Sequence, residues 1–224
     1  MVLKSVFGHW TPLQIITHLG GWFPLAWLAW DFWQGSDTKL LINPFQEVTF
    51  RTGEAAIILL MLSLACTPVN ILTGSRSVLA LRKPLGLFAF MYAALHFAVF
   101  IVDNGYVSNK ISWLAIYEAT FEKQFALVGF AAFVILLALA LTSNQWSMRQ
   151  LKKNWKRLHQ LVYAAGILAV IHFVWLVKSD IREPLIYGAI LTLLLVLRIP
   201  SVRKWVINTR RQWGESKQPV TGRP

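Results

Sequence analysis

Three histidines stand inside or at the edge of apolar segments long enough to cross a membrane: His96, His172 and His159. An ionisable side chain at membrane depth is costly and commonly marks a functional site. Neutral imidazole is also the usual protein ligand of heme iron. The pattern therefore predicts a membrane protein that binds heme, with these histidines as candidate iron ligands.

The composition supports an integral membrane protein. The chain has 224 residues, of which 56% are hydrophobic and 14% charged, and its mean hydropathy is +0.51. These values are too apolar for an ordinary soluble domain, so we predict one membrane domain over residues 1–224. The single cysteine, Cys66, excludes an internal disulfide, a cysteine-ligated cluster and covalent heme attachment. Any heme is therefore predicted to be a non-covalent heme b.

Six apolar segments approach the roughly 20 residues that a helix needs to cross a bilayer. We predict an all-α, six-helix membrane bundle, with no internal repeat evident in the sequence. The first segment lacks a small-residue cleavage site, so we interpret it as a retained helix and not as a signal peptide. The predicted helices cover about residues 10–33, 53–73, 84–102, 125–142, 158–177 and 185–199.

The distribution of charge predicts the orientation of these helices. The formal net charge is +12, and most of the lysines and arginines fall in the N-terminus, the tail and alternate connections. The positive-inside rule then puts both termini of a multi-pass membrane protein in the cytoplasm. This arrangement indicates contact with anionic lipid and argues against nucleic acid as a partner.

His96 and His172 are predicted to lie at one level on different helices. At about 1.5 Å per residue, His96 lies about 18 Å into the third helix and His172 about 21 Å into the fifth. Both helices run outward, so the two imidazoles reach the outer half of the membrane. Six-coordinate heme iron needs such a pair. A structural role, in which each ring bonds a neighbouring carbonyl, is the alternative.

The inner side holds a second group of candidates. His159 precedes His172 by 13 residues, or about 20 Å along a helix, so the two cannot bind the same iron. His159 is therefore a candidate for a separate inner site, where Arg82 could pair with a heme propionate or flavin phosphate. His18 lies near mid-membrane in the first helix, where a packing role and an inner-site role remain open.

The outer connection 103–124 carries Trp113, Tyr117 and Phe121 at four-residue intervals. This spacing predicts a short helix at the membrane interface. Its aromatic face is a candidate docking surface for a partner, and lipid anchoring is the alternative.

Several short stretches together resemble one protein family. They are Leu81-Arg82-Lys83-Pro84-Leu85-Gly86-Leu87 followed by Ala94-Leu95-His96, then Trp155-Lys156-Arg157-Leu158-His159-Gln160-Leu161-Val162-Tyr163 and Ile171-His172-Phe173-Val174-Trp175. Their order and spacing, over about residues 13–200, resemble the MsrQ (YedZ) heme-binding membrane subunits of the ferric-reductase-like transmembrane superfamily.

The resemblance implies a six-helix cytochrome b of the bacterial inner membrane that carries heme and FMN. It implies His96, His159 and His172 as heme ligands and Arg82 as a cofactor contact. Larger superfamily members have two histidine pairs. Here the positions 14 and 13 residues before His96 hold Arg82 and Lys83 and no histidine, so a second heme bound by two histidines would need His18, and one or two hemes remain open.

The resemblance also implies the partners. Electrons are expected to come from a cytoplasmic flavin reductase or quinol and to reach a periplasmic molybdopterin reductase (MsrP-like) that repairs methionine sulfoxide. No nucleophile or catalytic dyad is evident in the chain, so we predict an electron-transfer subunit. The alternatives are a quinol-oxidising cytochrome b anchor for another enzyme, or a non-redox transporter or scaffold whose histidines relay protons.

Overall fold

The computed structural model describes residues 11–35, 37–107, 110–177 and 180–215. Its long elements are all α-helices, and within these ranges the strands are limited to one short antiparallel pair. In chain order the elements are α1 (Pro12–Gln34), α2 (Thr38–Ile42), α3 (Pro44–Thr73), a 3-10 turn (Ser77–Leu81), α4 (Arg82–Gly105), β1 (Tyr106–Val107), β2 (Lys110–Ile111), α5 (Trp113–Tyr117), a π-helical turn (Glu118–Glu122), α6 (Gln124–Leu141), α7 (Gln145–Leu151), α8 (Lys153–Gln160), α9 (Val162–Leu176), α10 (Arg182–Val196) and α11 (Pro200–Glu215).

The described chain contains four helices that are long and apolar enough to cross a membrane: Pro44–Thr73, Ser77–Gly105, Gln124–Leu141 and Lys153–Leu176. A fifth is counted if α10 and α11, which meet at 76°, form one span. α1 has 23 residues but is not in this set, because its tryptophans and polar residues lower its mean hydropathy. The all-α membrane architecture is confirmed, and the six-helix bundle with two cytoplasmic termini stays a prediction.

α3 is the central helix of the protein. Of its most apolar window, 56% is buried inside the protein, against 22% for Ser77–Gly105 and 11% for Lys153–Leu176. Its Leu60 and Leu64 belong to the same buried cluster as Tyr92 of α4 and Leu191 of α10. The other spans therefore surround α3 and leave their outward faces to lipid.

α3 begins earlier in the chain than the apolar pattern predicts, at Pro44. The Asn43 side chain accepts a hydrogen bond from the Gln46 N–H, and Pro44 occupies the first turn; both are typical of a helix start. The predicted segment 53–73 is thus the later part of a 30-residue helix. The hydropathy pattern misses the first turns because they carry charged residues.

Those charged residues form an ion cluster that joins three helices. Arg51 of α3 donates from Nη1 to Asp31 of α1 at 2.6 Å and from Nε to Glu47 at 2.8 Å, and Nη2 pairs with Asp37. Asp37 caps α2, and the hydrogen bond from the Lys39 backbone N–H, with Arg51 nearby, lowers the pKa of its carboxyl. The cluster fixes α1 and α2 against the start of α3.

The predicted segment 158–177 is divided at Leu161. The Leu161 N–H bonds the carbonyl of Leu158, three residues back, at 3.0 Å, and α9 continues as the Ala165 N–H bonds the Leu161 carbonyl at 2.9 Å. Three-residue hydrogen bonds tighten a helix locally. His159 therefore lies on α8 and His172 on α9, within one span.

The outer connection forms the helix that its aromatic spacing predicts, as α5 and the π-helical turn after it. Trp113 is 79% exposed and Tyr117 is 57% exposed. Phe121 is less exposed, at 44%, and its ring packs on Phe130 of α6 at 5.5 Å. The placement of this helix at a membrane interface stays a prediction.

Candidate functional site

The bundle brings His96 and His172 together. Their ring centres lie 6.1 Å apart, and the ring planes are perpendicular, at 90°. His96 comes from α4 and His172 from α9, and both side chains are half-buried. The two histidines that the sequence places at one depth on different helices are therefore neighbours in space.

Each of these imidazoles is oriented by a backbone carbonyl. Nδ1 of His96 donates to the Thr49 carbonyl at 2.7 Å, and Nδ1 of His172 donates to the Phe125 carbonyl at 2.6 Å. A neutral imidazole that donates from Nδ1 carries its lone pair on Nε2. Both rings are thus held in the tautomer that binds a metal through Nε2, and this second bond is what metal-ligating histidines usually make.

The spacing of the rings fits a shared iron. Two imidazoles that bind one metal at about 2 Å each have ring centres about 6 Å apart, which matches the observed 6.1 Å. Two axial imidazoles on different helices suit a heme b, whose porphyrin supplies the other ligands. His96 and His172 therefore fit the axial pair of one heme.

A series of aromatic rings leads from this site to the outer connection. Phe97, next to His96, lies 5.4 Å from Phe130 of α6, and Phe130 lies 5.5 Å from Phe121. Phe121 in turn lies 5.1 Å from the exposed Tyr117. α5 is therefore packed onto α4, which carries His96, and the turn after it is packed onto α6.

His159 occupies a separate environment on α8. Its ring stacks on Trp155 at 3.9 Å, and its Nδ1 donates to the Trp155 carbonyl at 3.1 Å. The Ser143 hydroxyl lies 3.4 Å from Nε2 but only 2.6 Å from the Leu139 carbonyl, which takes its single proton. The Ser143 hydroxyl therefore does not donate to His159 Nε2, and the Leu139 carbonyl also interacts with the His159 ring.

Arg82 lies near His159, and Arg198 lies near Arg82. Arg82, at the start of α4, is exposed and close enough to interact electrostatically with both His159 and Arg198. Arg198, at the bend after α10, donates from Nη1 to the Tyr163 hydroxyl at 2.6 Å and from Nη2 to the Leu64 carbonyl at 2.5 Å. No carboxylate of the described chain pairs with either arginine.

Arg198 is a residue that sequence reasoning did not single out. Its Nε is buried and has no hydrogen-bond partner among the described residues. A guanidinium has five N–H donors, and the recorded bonds use two of them. The sequence counts Arg198 with the basic tail, and only its position beside Arg82 indicates a role at the inner site.

His18 lies apart from His159. It lines a cleft of about 540 Å³ between α1 and the start of α4, together with Gln14, Lys83 and Met91, and neither His159 nor Arg82 is among the lining residues. Its ring meets the buried Phe88 edge-on at 5.6 Å. This contact fits a packing role, and the cleft beside Lys83 leaves the predicted cofactor role open.

One protein-family model matches this chain. Residues 52–170 match the family described as the ferric reductase like transmembrane component, just over half of the chain. This range includes His96 and His159 and ends two residues before His172. No solved structure matches the chain.

The chain is also similar to curated proteins along most of its length. It is 45% identical to the protein-methionine-sulfoxide reductase heme-binding subunit MsrQ of Xanthomonas axonopodis pv. citri, over 83% of this chain and 85% of that protein. It is 41% identical to the MsrQ subunit of Bordetella pertussis, over 86% of this chain and 89% of that protein. The chain therefore belongs to the MsrQ family of ferric-reductase-like transmembrane components.

Proposed function

We propose that this chain is the membrane cytochrome b of a protein-methionine-sulfoxide reductase system. The observation that carries the proposal is the His96–His172 pair, with ring centres 6.1 Å apart and both Nδ1 atoms bound to carbonyls. A heme, when bound, supplies a one-electron carrier. The protein holds it between α4 and α9, where apolar helices exclude water and the two imidazoles tune the iron.

The direction of transfer follows from the proposed orientation. With α1 as the first of six spans and both termini cytoplasmic, the His96–His172 site lies in the outer half of the bacterial inner membrane. The His159 site lies in the inner half. Electrons then enter at the cytoplasmic side, from a flavin reductase or a quinol, and leave at the periplasmic side.

The inner site is proposed to hold a second redox group, FMN or heme, beside His159. Its anionic phosphate or propionate would be bound by Arg82 and Arg198. In the described chain neither arginine has a carboxylate partner, so their positive charge is not balanced by the protein. A guanidinium can bind a phosphate or a carboxylate through two parallel hydrogen bonds. The stacked pair of Trp155 and His159 offers an aromatic surface beside them.

The outer acceptor is proposed to be an MsrP-like periplasmic molybdopterin reductase. The support is the family to which the chain belongs and the exposed aromatic residues of α5, which is packed onto the helix that carries His96. This chain contributes no residue to reduction of the sulfoxide in this proposal. Its residues bind the carriers and present a surface to the partner.

An absorption spectrum of the purified protein tests the proposal. We expect a reduced-minus-oxidised spectrum of low-spin heme b, with one or two hemes per chain by pyridine hemochrome quantification. Extracted flavin should be FMN. Reduced protein in liposomes should be reoxidised by an MsrP-like enzyme only when methionine sulfoxide is present.

The other outcomes select the alternatives. Heme that is reduced by quinol but never reoxidised by the molybdopterin enzyme would identify a cytochrome b anchor for another enzyme. Protein that contains no heme after expression with sufficient iron and heme precursor would contradict the proposal and favour a transporter or scaffold.

A further inference from the structure

The ligand seat of a histidine, meaning the carbonyl and the helix surface that hold its ring, is built in the same way for His96 and for His172. In each, Nδ1 donates to a main-chain carbonyl of the neighbouring helix, and 47 residues separate the histidine from that carbonyl. Thr49 provides it from α3, and Phe125 provides it from α6. The two bonds are also similar in length, at 2.7 and 2.6 Å.

A glycine lies against each ring. A Cβ built on Gly53 would be 2.8 Å from His96 Nδ1, and a Cβ built on Gly129 would be 2.6 Å from His172 Nδ1. Contacts this short are essentially never found for real Cβ atoms. Neither glycine has a positive φ, so the requirement for glycine comes from space and not from backbone conformation.

Helix geometry explains why each glycine is four residues after the residue whose carbonyl accepts the bond. Gly53 is four residues after Thr49, and Gly129 is four residues after Phe125. Side chains tilt toward the helix N-terminus, so the side chain at position i+4 covers the turn that contains the carbonyl of residue i. An imidazole from another helix reaches the second lone pair of that carbonyl only where this side chain is absent.

These matches reveal an internal repeat that the sequence analysis missed. Gly53 precedes His96 by 43 residues, and Gly129 precedes His172 by the same number. Each glycine is followed by Ala-Ala after one intervening residue, and each histidine is followed by Phe. The first helix pair, α3 with α4, thus repeats 76 residues later as α6 with α9. Few residues are identical between the two copies, so the repeat is hard to recognise among the other apolar residues.

We propose that Gly53 and Gly129 are positioning residues of a duplicated ligand seat, which presents His96 Nε2 and His172 Nε2 to the same iron. This inference rests on the proposed function, because it takes these histidines as the axial pair. The glycines touch no reacting group. They act by letting each ring bond the carbonyl that fixes its tautomer and direction.

The repeat also bears on the inner level. The same offset of 76 residues relates His159 to Lys83 and Ser143 to Thr67. The two copies therefore supply one histidine, His159, at the inner position. At the outer position they supply two, His96 and His172. We infer that the inner site does not contain a second heme ligated by two histidines from equivalent positions.

Substitution of the two glycines tests the inference. Gly53→Ala and Gly129→Ala should each weaken heme retention by about 10- to 100-fold, the usual effect of losing an outer contact to a metal-bound histidine. The heme that remains should show shifted low-spin EPR g-values and a shifted midpoint potential. Gly86→Ala and Gly188→Ala are matched controls, because an added Cβ there meets only ordinary contacts at 3.5 Å. Both controls should match the parent protein.

A second measurement covers variants that assemble poorly. His96→Gly removes the ring, and added imidazole should occupy the vacant seat and restore the low-spin spectrum. In the double variant His96→Gly with Gly53→Ala, the methyl group fills the space, so the same imidazole concentration should fail to restore it. Restoration in the double variant, or parent-like spectra and potentials in both glycine variants, would overturn the inference. If His96→Ala and His172→Ala keep their full heme content, it is the proposed function that fails.

Discussion

Nδ1 of His96 donates to the carbonyl of Thr49 at 2.7 Å, and the ring that this bond holds lies 6.1 Å from the ring of His172. The first prediction concerns this pair. Because both histidines are proposed to bind one iron, His96→Ala and His172→Ala should each remove the same heme signal, and the double variant should lose no more. Heme content and the low-spin spectrum are the measurements. Loss of different signals in the two single variants would assign the histidines to separate irons.

The second prediction concerns the inner site. Arg198→Gln should weaken binding of the inner cofactor by about 10- to 100-fold, because a hydrogen bond to a charged group contributes roughly 1.5–3 kcal/mol. The His96–His172 heme should be retained. Arg203→Gln changes an exposed arginine of α11 and serves as the control. If both Arg198→Gln and Arg82→Ala keep the FMN and heme contents of the parent protein, the proposed inner anion site is wrong.

The third prediction concerns the stability of the outer ends of α1 and α3. Arg51→Gln leaves Asp31, Asp37 and Glu47 close together without their shared cation. We expect a loss of roughly 1–3 kcal/mol, which corresponds to about 2–4 °C in melting temperature for each kcal/mol. Arg182→Gln is the control, because its pair with Asp180 is exposed and 3.9 Å long and contributes little. Equal melting temperatures for the two variants would show that the Arg51 cluster is not stabilising.

The fourth prediction concerns acid. The pKa of Asp37 is lowered in the folded protein by the Lys39 N–H and by Arg51. A carboxyl with a lowered folded pKa stabilises the fold above its unfolded pKa of about 3.9, and this contribution is lost as the pH falls through the folded value. Asp37→Asn should therefore destabilise the protein at pH 7 and have less effect at pH 3. Thermal unfolding at both pH values measures the difference, and a variant whose effect is independent of pH would contradict it.

The sequence predicts the membrane class and the meeting of His96 with His172, because hydropathy and helical rise depend on local pattern alone. It does not predict the role of Arg198, which depends on the bend after α10 and on contacts with Tyr163 and the Leu64 carbonyl. Gly53 and Gly129 are equally hidden, because a glycine in an apolar helix carries no local signal until the ring that it admits is known. The start of α3 at Pro44 is missed because charged side chains interrupt the apolar pattern.

The last prediction concerns the surface where electrons leave. Trp113 and Tyr117 are exposed on α5, while Phe121 beside them packs on Phe130 and so fixes the helix to the bundle. Serine at both exposed positions should slow reoxidation by the MsrP-like enzyme about tenfold or more at limiting enzyme, as loss of aromatic anchors does at other interfaces. The heme spectrum should not change. Trp146→Ser is the control, because Trp146 is also exposed, at 70%, but lies in the connection assigned to the cytoplasmic side. A lower rate in both proteins would indicate a general role of interfacial tryptophans in membrane anchoring. An unchanged rate in the Trp113 and Tyr117 variant would place the docking surface elsewhere.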